Sequence, residues 1–137
     1  MRSAQRLWIG LAAAAALAMP YVQSQPAGIK WEKDYAAALA LSRKTKKPVL
    51  VEFYADWCGP CKQMARTTLQ DAGIVKLTRK FVAVRVDLDR QTTLARKYGV
   101  DSIPYSVVLN PSGKVTRAAV GYQDVNGFRL FLMQGLQ

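Results

Sequence analysis

Pro48 to Ala55 reads PVLVEFYA, a run of apolar and aromatic residues long enough for one strand and interrupted by a single carboxylate, Glu52. Its length and its Val, Phe and Tyr content fit a strand buried on both faces, as in a parallel sheet whose crossover helices cover both sides. A carboxylate inside such a strand is out of place and asks for a reason. Asp56-Trp57 then makes a turn, and Cys58-Gly59-Pro60-Cys61 opens a segment that reads as helix from Cys61 to Leu69. The chain is expected to pass from a buried strand through a tight turn into a helix starting near Cys58, and its two cysteines both lie at that junction.

Alternating elements continue on either side. Trp31 to Ser42 (WEKDYAAALALS) places Trp31, Tyr35, Ala38, Leu39 and Ser42 on one stripe and is rich in alanine, which predicts a helix over 31–42. After the break at Asp71-Ala72-Gly73, a shorter helix is predicted over 74–80. Phe81 to Leu88 (FVAVRVDL) reads as a second strand, and Gln91 to Tyr98 as a helix stopped by Gly99. PYSVVL (104–109) and KVTRAAV (114–120) are two strands joined by Asn110-Pro111-Ser112-Gly113, hence an antiparallel hairpin. Asp124 is placed to cap a last helix with Val125, Phe128 and Leu132 on one face and Phe131 beside them. The order α-β-α-β-α-β-β-α predicts an α/β fold, a mixed sheet with helices on both faces.

A chain of 137 residues, half of them apolar, has enough material for one domain with a sizeable core. Residues 1–24 are expected to stand apart from it. Met1 to Arg6 carries two arginines, LWIGLAAAAALAM (7–19) is apolar, and Pro20 to Ala27 is small and turn-forming, the three regions of a secretory signal. The apolar run is short for a bilayer span. Cleavage is placed after Ser24, with Ala18 as the other small-x-small site, leaving one domain over 25–137 in the periplasm or another extracytoplasmic space. An uncleaved membrane anchor is the alternative. Without residues 1–24, which carry Arg2 and Arg6, the 20 basic and 9 acidic residues become 18 and 9, a net charge of +9. Such a balance favours acidic partners or anionic surfaces. The basic residues are scattered in short clusters without an aromatic stripe, which argues against nucleic-acid binding.

The sequence has no histidine, which removes the Ser-His-Asp and Cys-His catalytic arrangements. A zinc site would need four ligands and so two chains sharing one ion. A disulfide between Cys58 and Cys61 would close too short a loop to staple the fold. A redox pair is the reading that remains best supported. At a helix N-terminus the unpaired N–H groups favour thiolate over thiol, lowering a cysteine from about pKa 8.5 towards roughly 3.5 to 7.5. That makes Cys58 the better nucleophile. Residues i and i+3 of a first helical turn lie about 5 to 6 Å apart, so Cys61 can attack a mixed disulfide held by Cys58. Pro60 suits the first turn, where its missing N–H costs nothing.

VEFYAD followed by WCGPCK resembles the active-site segment of the thioredoxin family, and KYGVDSIPY (97–105) resembles that family's second signature. The NPSGK hairpin and VGY at 120–122 fall where the family has them, so the resemblance covers about residues 31–134. It is strongest to exported members, including the soluble domain of membrane thiol:disulfide interchange proteins. The resemblance implies a thioredoxin fold, with Cys58 attacking and Cys61 resolving. It implies that Trp57, Gly59, Pro60, Ile103, a cis Pro104 and the Gly121 backbone line the groove where an extended substrate docks. Glu52 takes the place of a buried aspartate proposed to carry the proton of the resolving cysteine, and burial would raise its pKa enough for that work. Arg85 stands where a lysine commonly faces that carboxylate, and a Glu52–Arg85 ion pair would oppose the rise. Tyr105 replaces the usual threonine after the cis-proline.

The expected function is thiol:disulfide exchange outside the cytoplasm, in the reducing direction that Gly-Pro between the cysteines resembles. No dissociable cofactor and no metal are expected. The partners would be proteins with disulfides or thiols and a membrane-bound or soluble thiol electron donor, and the chain is expected to be monomeric. The alternative is a peptide-binding holdase or assembly module of the same fold whose redox activity is incidental.

Overall fold

The computed structural model describes residues 28–137, so the signal expected at 1–24 lies outside the described residues. The buried run forms β2 (Val49–Tyr54). β3 (Val82–Asp87) runs parallel to it on one side and β4 (Tyr105–Leu109) antiparallel on the other. β1 (Trp31–Glu32) lies parallel to the outer edge of β3, and β5 (Val115–Val120) completes the hairpin with β4, giving the order β1-β3-β2-β4-β5. This is the mixed sheet expected from the sequence, with β2 at its centre.

Both faces of the sheet are covered. Val49, Val51 and Phe53 of β2 pack with Ala38 of α1 (Tyr35–Thr45) and with Leu94 next to Tyr98 at α4 (Thr92–Lys97). Leu50, one residue out of phase, packs on the opposite face with Met64 of α2 (Gly59–Arg66), Ile74 of α3 (Ala72–Thr78) and Phe128 and Leu132 of α5 (Val125–Gly135). Strand alternation with helices on either side explains why an almost continuous apolar run was needed here.

The first predicted helix needs correction at its start. It begins at Tyr35, not Trp31, because Asp34 Oδ1 accepts the Ala37 N–H at 2.7 Å and caps the helix there. Trp31 and Glu32 instead pair with Ala83 and Val84 as β1, so the helical spacing of Trp31 was accidental. Similarly, Asp71 is a cap and not a break. Its carboxylate accepts the Ile74 N–H at 3.0 Å and α3 starts directly at Ala72. The cysteine helix starts at Gly59 and stops at Arg66, with Thr68–Gln70 a separate 3-10 turn.

The hairpin turn is held by Asn110, whose side-chain oxygen accepts the N–H groups of Ser112 at 3.1 Å and Lys114 at 3.0 Å. Asp124 caps α5 as expected, accepting the Gly127 N–H at 2.8 Å. Phe128 is fully buried where α5 meets the sheet. Phe128→Ala is expected to lose about 3 to 5 kcal/mol of stability, measured as a lowered urea midpoint. An unchanged midpoint would mean that α5 does not close this half of the core.

Candidate active site

The site is built where β2 becomes α2. Asp56 and Trp57 turn the chain, and the Cys58 N–H donates to the Ala55 carbonyl at 3.2 Å. Cys58 has extended backbone and stands immediately before α2, where its Sγ accepts the N–H of Cys61 at 3.2 Å. The sulfur thus satisfies one of the N–H groups that the first turn of a helix leaves without an internal partner. Pro60 occupies the first turn, as expected. Cys61 lies inside the helix, its Cα 5.3 Å from that of Cys58, and the two are joined as a disulfide.

Ala55, Cys58 and Cys61 form a small buried cluster bordered by Tyr54, Leu88 and Ile103. The Ile103–Pro104 peptide is cis, and the Ile103 carbonyl oxygen lies 3.8 Å from Cys58 Sγ. Pro104 in turn accepts the Gly121 N–H at 2.8 Å. Gly121 has φ of 88°, a conformation that costs glycine little and other residues more. The structure therefore brings Ile103 and Pro104 to the disulfide from the far end of the sequence, with Gly121 hydrogen-bonded behind them to Pro104. Trp57 is 66% exposed, far from a core aromatic, and its Nε1 donates to Asp89 Oδ2 at 2.9 Å. Asp89 drew no attention in the sequence, since nothing there links it to Trp57.

Glu52 is buried at the centre of the sheet. It shares a face of β2 with Leu50, which packs on Met64, and with Tyr54, which packs on the cysteine cluster, so its carboxyl lies on the α2 side. Ser106, its register partner on β4, donates its hydroxyl to Glu52 Oε2 at 2.5 Å. Arg85 is the register partner on β3, yet no ion pair joins it to Glu52 among the described residues. The guanidinium instead stacks 3.9 Å from the centre of the Tyr54 ring and 5.7 Å from that of Trp31, with Nε buried and unbonded. Burial pushes the Glu52 pKa up to about 7, against the opposing pull of the Ser106 hydrogen bond and the Arg85 charge. Sequence reading missed Ser106, although a hydroxyl in the otherwise apolar strand YSVVL was a signal of the same kind as Glu52. Tyr105, on the other face of β4, packs on Phe53 with ring centres 6.0 Å apart, turned away from the cysteines.

A Cys-x-x-Cys disulfide at a helix N-terminus, set beside a cis-proline on this sheet, defines a thiol:disulfide oxidoreductase. The thioredoxin-like family model matches residues 30–111. A thioredoxin-like protein of Synechocystis is 35% identical over 93 residues, which cover 68% of this chain and 86% of that one. A chloroplastic thioredoxin Y of rice is 40% identical over 69 residues, 50% of this chain and 40% of that longer one. Among solved structures, a thioredoxin from Thermus thermophilus superposes with a TM-score of 0.71 at 30% identity, covering 78% of this chain and 86% of that one. The oxidised C-terminal domain of DsbD from Neisseria meningitidis gives 0.65 at 25% identity, over 73% and 90%. The chain belongs to the thioredoxin-like family.

The buried carboxyl has a measurable consequence. The folded group keeps its proton to about pH 7 while an unfolded one loses it near 4.5, so stability falls as pH rises through that window. Glu52→Gln, which cannot ionise, is expected to exceed the parent by about 3 kcal/mol above pH 7 and by little near pH 4.5. Urea midpoints at the two pH values test this. A gain that does not grow with pH would contradict burial of an ionisable carboxyl.

Proposed function

We propose that this protein reduces protein disulfides outside the cytoplasm, with Cys58 as the attacking thiol and Cys61 as the resolving one. The observation that carries the division of labour is the Cys58 sulfur at the start of α2, accepting the Cys61 N–H. The same N–H and the positive end of the helix would stabilise a Cys58 thiolate in the reduced protein.

The Cys58 thiolate attacks one sulfur of a substrate disulfide. A Cys58–substrate disulfide forms and one substrate thiolate leaves, taking up a proton. Glu52, ionised, accepts the Cys61 proton, and the Cys61 thiolate attacks Cys58 Sγ. The second substrate thiolate leaves, and the enzyme holds the Cys58–Cys61 disulfide. Two electrons from a donor protein's dithiol, itself oxidised to a disulfide, restore the starting state. Trp57, Gly59, Pro60, Ile103, Pro104 and the Gly121 backbone form the surface on which the substrate chain lies. A glutamate that titrates near neutral pH suits a base that must first be ionised and then hold a proton.

Three observations support the reducing direction and the location: the Gly-Pro pair between the cysteines, the signal-like residues 1–24, and the likeness to a DsbD C-terminal domain. Among the described residues no helix is long and apolar enough to cross a membrane. Equilibration of the purified protein with glutathione buffers is expected to give a potential near that of thioredoxin, about −270 mV. A value near about −120 mV would make it an oxidant. A Cys58→Ser, Cys61→Ser double variant that still restores a deletion strain would leave the holdase reading in place of the enzyme.

A further inference from the structure

Ser106 is fully buried in a strand whose next three residues, Val107, Val108 and Leu109, are all fully buried and apolar. A hydroxyl in such surroundings costs free energy unless it is hydrogen-bonded. Its hydrogen bond goes to the carboxyl opposite it on β2, 54 residues away in sequence, at 2.5 Å. We infer that Ser106 is a positioning residue that fixes the Glu52 carboxyl by donating to Oε2 and so sets the pH at which Glu52 takes up and releases its proton.

The surroundings of Glu52 leave few other groups for this task. From β3 the facing charge is Arg85, whose guanidinium is held on the Tyr54 ring beyond ion-pair distance. From its own strand the neighbours on that face are Leu50 and Tyr54, and α2 contributes the buried Met64 and Cys61 to this side of the sheet, the latter titratable once reduced. α3 and α5 contribute Ile74, Phe128, Phe131 and Leu132 to this side of the core, none of them titratable. Ser106 is therefore the hydrogen-bond donor to the carboxylate, and Arg85 supplies charge at a distance. A donor to the ionised form lowers a carboxyl pKa, so Ser106 works against burial and keeps Glu52 within the neutral range.

The consequence for resolution by Cys61 rests on the role proposed above for Glu52, and the test keeps the two apart. The chain has two glutamates, Glu32 and Glu52, so carboxyl-13C labelling of glutamate gives two assignable titration curves. Ser106→Ala is expected to move the Glu52 midpoint upward by about one pH unit or more, leaving Glu32 unmoved. Ser106→Thr, which keeps a hydroxyl, is expected to bring it back towards the parent value. The pH profile of Cys61 attack on a preformed Cys58 mixed disulfide should shift with the midpoint, slowing resolution at pH 7 about fivefold in Ser106→Ala. A Glu52 midpoint that stays in place or falls in Ser106→Ala overturns the inference. If the midpoint moves as expected while Glu52→Gln leaves the resolution profile unchanged, Ser106 keeps its assignment and Glu52 loses its role as base.

Discussion

The first turn of α2 has N–H groups that no carbonyl of the helix can reach, and the sulfur of Cys58 takes one of them. Much of the site follows from this contact. It requires the chain to leave β2 at the sheet centre, turn through Asp56 and Trp57, and deliver a cysteine where most helices place Ser, Asp or Asn. Three residues on, the helix returns Cys61 to bonding distance. One geometric arrangement thus caps the helix, closes the disulfide and sets the two sulfurs in unequal positions. A staple would need none of that inequality.

The second constraint lies beneath it, at the middle of the sheet. Glu52 is the residue that a strand buried on both faces should not contain, and the structure shows how it is tolerated: neighbours on both adjacent strands attend to it. Ser106 donates a hydrogen bond, while Arg85 remains near enough to act through charge and is itself held by aromatic rings. Net burial wins, leaving a carboxyl that changes charge near neutrality instead of a permanently ionised partner in a salt bridge. The cost to stability and the proton-carrying role proposed for Glu52 have the same origin.

Legibility in the sequence followed physical range. Strand β2, the turn at Asp56-Trp57, the hairpin held by Asn110 and the cap at Asp124 are local events, decided by residues a few positions apart, and they could be read. Trp31 could not, because its helical spacing from Tyr35 was outvoted by pairing with Ala83, a contact made only once the sheet exists. The family signatures named Pro104 and Gly121, and the structure shows Pro104 in a cis peptide with Ile103, whose carbonyl faces Cys58, and Gly121 hydrogen-bonded to Pro104. Ser106 and Asp89 escaped because each matters through one long-range hydrogen bond, to Glu52 and to Trp57. The Glu52–Arg85 ion pair, which the sequence left open, illustrates the same limit: register places the residues side by side, but the rotamer that stacks Arg85 on Tyr54 is a property of the packed side chains.

The central claim is that position relative to α2 gives the two cysteines different reactivity, and competitive alkylation measures it directly. The reduced protein, treated with limiting iodoacetamide at pH 7 and mapped by peptide mass, should carry the label on Cys58 about tenfold or more faster than on Cys61. Equal labelling, or faster labelling of Cys61, would contradict the account.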